Sequence, residues 1–175
     1  IRWKKARLIR LPFRARNAKN IFISKGFTCG QYCRITAGDL EKKKVMFGEN
    51  FVMGDMCQIE GQGGLIIGKN VLFASRVFVG TTSHGDYSSQ CGQSKPEISP
   101  NDREVILGSI VIEDNVWIGN NVSILSGVTI GKGSIVGANS VVTKDVPNNC
   151  IVVGSPAHII KRYSRESCRW EIEER

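Results

Sequence analysis

From Ile112 to Val146 the hydrophobic positions recur every six residues. Cut into sixes, the blocks open on Ile112, Ile118, Ile124, Ile130, Val136 and Val142. The fifth position of each block is Val116, Val122, Val128, Ser134, Ser140 or Val146, and the second is often glycine, as at Gly119, Gly131 and Gly137. A period of six fits neither a helix, which repeats at about 3.6 residues, nor a half-buried strand, which repeats at about 2. It fits a parallel β-helix, in which each hexapeptide is one flat face followed by a turn. The leading aliphatic then points into a prism core and stacks on its counterpart one coil away. Glycine near the corner is expected to supply the backbone freedom of the turn. The predicted class is all-β.

The same phase extends upstream. Ile23, Cys29 and Ile35 open early blocks, Phe47, Met53 and Ile59 follow, and Ile67, Phe73 and Val79 come next. Glu41 falls in a core slot, so Leu40 to Lys44 is read as a turn or bulge that leaves the prism. Two extra residues within Gly61–Gly64 reset the phase. The period fails between about 84 and 105, a polar stretch with Pro96 and Pro100. A loop of that length inside a solenoid is uncommon unless it is functional. The pattern resumes at Ile106. About seventeen hexapeptides predict between five and six triangular coils. Residues 1–22 read as a basic lead-in around Trp3, Leu8, Ile9 and Leu11, and 23–155 as the β-helix with its inserted loop. Residues 156–175 read as a short helical cap, because Ile159, Ile160 and Tyr163 are spaced as a helix face and Pro156 suits a first turn. A cap is needed to cover the open end of a solenoid.

Composition narrows the class. At 175 residues the chain suits one domain with a real core. An aromatic content of 7% with 19 glycines matches a thin prism filled by Ile and Val. No apolar run approaches the roughly 20 residues of a membrane-spanning helix. No secretory pattern opens the sequence, which starts at Ile rather than Met and leaves room for a short leader. Six cysteines show no CxxC pair, and Cys29 and Cys57 sit in core slots, so reduced packing thiols and a cytoplasmic setting are expected. The net charge is +8, and ten Lys or Arg residues, from Arg2 to Arg34, precede the first acid, Asp39. The plain reading is a solvated arm. The sharper one is attraction to the anionic inner face of a membrane or to a polyanionic glycan. Nucleic acid fits poorly, because the aromatic interleaving of a single-strand platform is absent.

The segment VWIGNNVSILSGVTIGKGSIVGANSVVTKDVPNNCIVVGSPAHIIK resembles the signature of the hexapeptide-repeat acyltransferases. Within that superfamily it resembles the galactoside and maltose acetyltransferase branch, especially the bacterial O-acetyltransferases of lipopolysaccharide and capsule biosynthesis. The resemblance implies a left-handed β-helix, an exception to the usual right-handed crossover. It also implies a homotrimer with acetyl-CoA lying between neighbouring prisms and a carbohydrate acceptor. The family's catalytic histidine matches His84, on the loop that leaves the prism. Asp86 and Trp117 would line the groove. The family's cofactor contacts fall on Asn120, Ala138, Thr143, Lys144, His158 and Lys161, where His158 stands in place of a frequent arginine. Related sequences often carry an acid or a second histidine just before the catalytic position. Thr81, Thr82 and Ser83 stand there instead, which leaves the orienting partner of His84 open.

The chemistry has an independent basis. A hydroxyl attacking a thioester must lose its proton, and histidine ionises in the range suited to that task. The expected activity is acetyl-CoA-dependent O-acetylation of a sugar hydroxyl by direct transfer, with no metal. Acetylation of an amino sugar or an antibiotic is the alternative on the same scaffold. Cys91, also on the loop, would be the nucleophile of a covalent route. A zinc hydrolase on this prism needs three histidine ligands, whereas the sequence has His84 and His158. A non-enzymatic scaffold would carry repeating threonine arrays on one face, which the mixed outward positions do not show.

Overall fold

The structure is a computed structural model that describes residues 3–39, 44–87 and 92–173. The chain winds as a left-handed parallel β-helix of about seven turns with three sheets as its faces. The first face stacks Ala6–Ile9, Phe27–Cys29, Val52–Met53, Leu72–Phe73, Trp117–Ile118, Ile135–Val136 and Cys150–Val153. The second stacks Phe13–Arg16, Cys33–Ala37, Gln58–Gly61, Phe78–Gly80, Ser123–Ile124 and Val141–Val142. The third stacks Ile21–Ile23, Val45–Phe47, Leu65–Ile67, Ile110–Ile112 and Thr129–Ile130, and Val146 bridges to Ile130 at its end.

The hexapeptide reading holds where it was sharpest. Ile112, Ile118, Ile124, Ile130, Val136 and Val142 are buried, as are the fifth-position residues from Val116 to Val146. The upstream core is aromatic: Phe27, Phe47, Phe51 and Phe73 stack in sequence with centroids 4.9 to 5.8 Å apart. Cys29, Cys33 and Cys57 are buried free thiols, as expected. Hydrogen bonding to Cys33 and burial push the Cys29 and Cys57 thiols up. Cys91 and residues 40–43 of the expected bulge lie outside the described residues.

Corner chemistry differs from the expectation. Among the described non-glycine residues with left-handed backbone, asparagines are the majority, including Asn50, Asn70, Asn115, Asn121, Asn139 and Asn149. Asparagine tolerates that conformation better than most residues. Several of these side chains join along the axis: Asn50 Nδ2 donates to Asn70, Asn70 to Asn115, and Asn121 to Asn139, at 3.1 to 3.2 Å. Gly119 serves a different need. A Cβ there would lie 2.7 Å from the backbone nitrogen of Ala138, so close approach of the next coil excludes a side chain.

Two end regions depart from the sequence reading. Ala6–Ile9 and Phe13–Arg16, taken as lead-in, pair in parallel with Phe27–Cys29 and Cys33–Ala37 and form a further coil. Its inward residues, Ala6, Ile9 and Phe13, are partly buried, with Phe13 packed edge-on against Trp3 at 5.3 Å between centroids, and its outward residues include Arg14 and Arg16. Partial burial blurs the hydrophobic phase there. The C-terminal helix is not formed. His158–Ser164 instead pairs antiparallel with Cys150–Val153 and then with Arg169–Ile172. The open backbone edge of the last coil offers hydrogen bonds that a helix would leave unused. A cross-strand pair of Tyr163 and Trp170, 5.4 Å between centroids, closes the hairpin.

Candidate active site

The insertion leaves the prism at the corner between the second and third faces. Thr81, fully buried, fastens its base: the hydroxyl donates to the Glu60 carbonyl at 2.7 Å and accepts from the Gly63 N–H at 2.8 Å. The Gly108 N–H closes the other side on the Thr81 carbonyl at 3.0 Å. Thr82–His84 and Val105–Leu107 then form a two-stranded antiparallel stem, with His84 opposite Val105. Ile106 therefore belongs to the stem, and the prism resumes at Ile110 rather than at Ile106. Hydrophobic identity at position 106 mimicked the period, but that side chain is half-buried on the stem and is not part of the prism core.

His84 is exposed at the end of this stem. Its Nδ1 lies 3.2 Å from the carbonyl oxygen of Pro100. A carbonyl only accepts, so this bond places the proton on Nδ1 and leaves Nε2 as the basic nitrogen of the neutral ring. The backbone beneath the histidine is also held. Tyr87 Oη donates to the His84 carbonyl at 2.7 Å and accepts from Arg103 Nη1 at 2.6 Å. Arg103 further donates to the carbonyls of Ile98, at 2.9 Å, and Pro96, at 3.3 Å. Gly85 turns with φ of +106°, and a Cβ there would meet Tyr87 Oη at 2.7 Å. Asp86 is half-buried beside it, its backbone exchanging hydrogen bonds with Ser94. Thr81 and Ser83 do not orient the ring: Thr81 binds the prism, and Ser83 Oγ donates to the Gly85 carbonyl at 3.1 Å. Pro100, Tyr87 and Arg103 were missed by sequence reasoning. Four of their five links run through backbone carbonyls, which carry no residue-specific signal.

The other expected residues occupy three regions. Asn120 and Ala138 lie on successive coils at the corner between the first and second faces. The Asn120 carbonyl accepts from the Asn139 N–H at 2.9 Å, and its Oδ1 caps the Ser75 N–H at 2.9 Å. His158 lies beside this corner, opposite Val153, and is exposed. Thr143 and Lys144 are exposed at the next corner, the one the insertion uses, two coils further on. Trp117 stands on the first face, 49% exposed, in an outward row with Ile135, Ile151 and Lys161. A single prism thus separates Trp117 and His84 by a face, while Lys144 shares the corner of the His84 stem. Among the described residues no group of three or more His, Cys, Asp or Glu is arranged to hold a metal.

The architecture is that of a hexapeptide-repeat solenoid with one chemically equipped insertion. Residues 109–144 match the family model for the bacterial transferase hexapeptide (six repeats). The chain is 36% identical over 97% of its length to WbbJ of Escherichia coli K12, provisionally assigned as a lipopolysaccharide biosynthesis O-acetyl transferase, and spans 85% of that protein. Among solved structures it matches the hexapeptide-repeat acetyltransferase VCA0836 of Vibrio cholerae complexed with acetyl coenzyme A, at a TM-score of 0.63 and 31% identity, covering 90% of this chain and 69% of that one. It also matches a galactoside acetyltransferase in complex with coenzyme A, at a TM-score of 0.59 and 28% identity, covering 93% and 70% of the two chains. The chain belongs to the hexapeptide-repeat acetyltransferases.

Proposed function

We propose that this protein transfers the acetyl group of acetyl-CoA to a sugar hydroxyl of a bacterial surface polysaccharide or its precursor, with His84 as general base. The observation that carries the reading is the Pro100 carbonyl on His84 Nδ1, which turns Nε2 into the available proton acceptor. In a single displacement Nε2 takes the hydroxyl proton as the acceptor oxygen attacks the thioester carbonyl carbon. The tetrahedral oxyanion collapses with cleavage of the C–S bond, and the imidazolium returns the proton to the departing coenzyme A sulfur. Backbone N–H groups are the natural stabilisers of that oxyanion. The atoms balance without an acyl-enzyme.

The cofactor reading follows the geography of the prism. Asn120 and Ala138 offer backbone at one corner, with His158 beside them, and Thr143 and Lys144 offer a hydroxyl and a cation at the next. A cation suits the nucleotide phosphates of coenzyme A. Trp117 and Lys161 lie on a different face from His84, so a neighbouring subunit would supply the second wall of the cleft. Cyclic symmetry then gives a trimer with three equivalent clefts. The sugar hydroxyl as acceptor is supported by the likeness to WbbJ across nearly the whole chain. The free buried thiols are compatible with a cytoplasmic setting. Among the described residues no helix is long and apolar enough to cross a membrane. The test is release of free coenzyme A thiol from acetyl-CoA on adding candidate glycans and glycan precursors. Acceptor-dependent release is expected, and its absence across neutral, amino and phosphorylated sugars would remove the reading.

A further inference from the structure

The arginines of the first coil are placed in a way that solubility alone does not require. On the second face Arg14 and Arg16 are two apart in one strand and so point to the same side. Arg14 lies directly opposite Arg34 in the parallel ladder. Neighbouring strands stand about 4.8 Å apart, and like charges facing each other across a ladder are destabilising. One carboxylate answers them. Glu60 binds Arg34 Nη2 at 2.7 Å, and it also accepts from Gln58 at 2.9 Å and from Gln62 at 3.4 Å. Its capacity is therefore largely committed, and its side chain is only 18% exposed, against 49% for Arg34. Among the described residues neither Arg14 nor Arg16 forms an ion pair.

These side chains line a concavity of about 670 Å³ with Phe13, Thr36 and Glu60. Arg16 and Thr36 also line a second hollow of about 290 Å³, together with Asp39 and Leu107. Leu107 pairs with Thr82 in the stem that ends at His84. The basic bay is thus continuous with the base of the catalytic insertion, at the end of the prism opposite the coils that carry Asn120, Ala138 and Lys144. We infer that the bay binds a phosphate or diphosphate group of the acetyl acceptor. The acceptor would then be a sugar carried on a diphosphate, and the arginines would anchor the carrier while the sugar reaches toward His84. Guanidinium groups suit this task because their planar N–H fork matches phosphate oxygens. The inference rests on the acetyltransferase reading and adds the charge of the acceptor to it.

The test is calorimetric titration of the full chain in saturating coenzyme A, which fills its own diphosphate site. The probes are inorganic pyrophosphate, uridine diphosphate and farnesyl diphosphate. Wild type should bind pyrophosphate, and Arg14→Gln and Arg16→Gln should each weaken it by about tenfold or more, the usual weight of a charge-assisted bond. Arg34→Lys keeps a partner for Glu60 and should show the same direction of change, whereas Lys69→Ala on a distant corner should show none. Tighter binding of uridine diphosphate points to a nucleotide-linked acceptor, and tighter binding of farnesyl diphosphate to a lipid-linked one. No pyrophosphate binding by wild type, or equal binding by the Arg14→Gln/Arg16→Gln double variant, overturns the proposal. So does binding to anionic vesicles with no response to soluble diphosphates, which would make the arginines a membrane surface. Acetyl transfer to a neutral sugar, measured alongside, separates the two readings. Transfer without pyrophosphate binding sinks the bay alone, and pyrophosphate binding without transfer to any sugar sinks the acetyltransferase reading.

Discussion

His84 Nδ1 and the Pro100 carbonyl oxygen are 3.2 Å apart, although sixteen residues separate them in the chain. That pairing depends on the fold of the insertion, and among the described residues Arg103 ties it internally, reaching Tyr87 Oη and the carbonyls of Ile98 and Pro96. Arg103→Ala should therefore lower kcat about tenfold or more by misplacing the imidazole, with little change in KM for acetyl-CoA. Arg103→Lys should not restore activity, because an ammonium cannot reproduce a three-directional planar fork. An unchanged kcat in Arg103→Ala would show that the insertion positions His84 without it.

Lys144 tests the cofactor assignment. Lys144→Ala should weaken acetyl-CoA binding by about 1–3 kcal/mol if its ammonium meets a nucleotide phosphate. Binding of an acetyl-pantetheine thioester, which lacks the nucleotide, should hardly change. Equal losses for both compounds would assign Lys144 to stability instead of recognition.

Gly119 tests the close approach of coils. A methyl group there would lie 2.7 Å from the Ala138 nitrogen and 3.0 Å from the Val136 carbonyl oxygen, both of them backbone atoms. Gly119→Ala should cost about 1–3 kcal/mol by overpacking, lowering Tm by several degrees. Coenzyme A affinity should fall with it, since Asn120 and Ala138 would move. A thermal melt identical to wild type would show that the corner can open without penalty.

Assembly has its own test. Light scattering should return about three times the 19.3 kDa chain mass. Mixed trimers of His84→Ala and Trp117→Ala subunits should recover part of the activity, because some interfaces regain both groups. A fully active monomer, or no recovery in verified mixed trimers, would contradict a cleft shared between subunits.

The prism was legible because its signal is redundant: each coil repeats the same inward choice, so Ile112 through Val142 declare the period six times. Arg14 and Phe13 were harder to place, since Phe13 is only partly buried and the strand that carries both does not keep the strict six-residue phase. Ile159, Ile160 and Tyr163 misled because a short apolar cluster fits helix and strand alike. Only the unpaired edge at Cys150–Val153 decides between them, and that edge is a tertiary fact. At the site, His84 stood out by its rarity and its place in the insertion. Its partner could not, because a carbonyl acceptor such as that of Pro100 leaves no side-chain signature.

The most direct measurement is the steady-state rate of acetyl transfer from acetyl-CoA to a sugar acceptor by wild type and His84→Ala, with acetyl-CoA affinity measured in parallel. Loss of a positioned general base should lower kcat by about 10²–10⁴ while the affinity for acetyl-CoA stays near that of wild type. Near-wild-type turnover by His84→Ala would contradict the account.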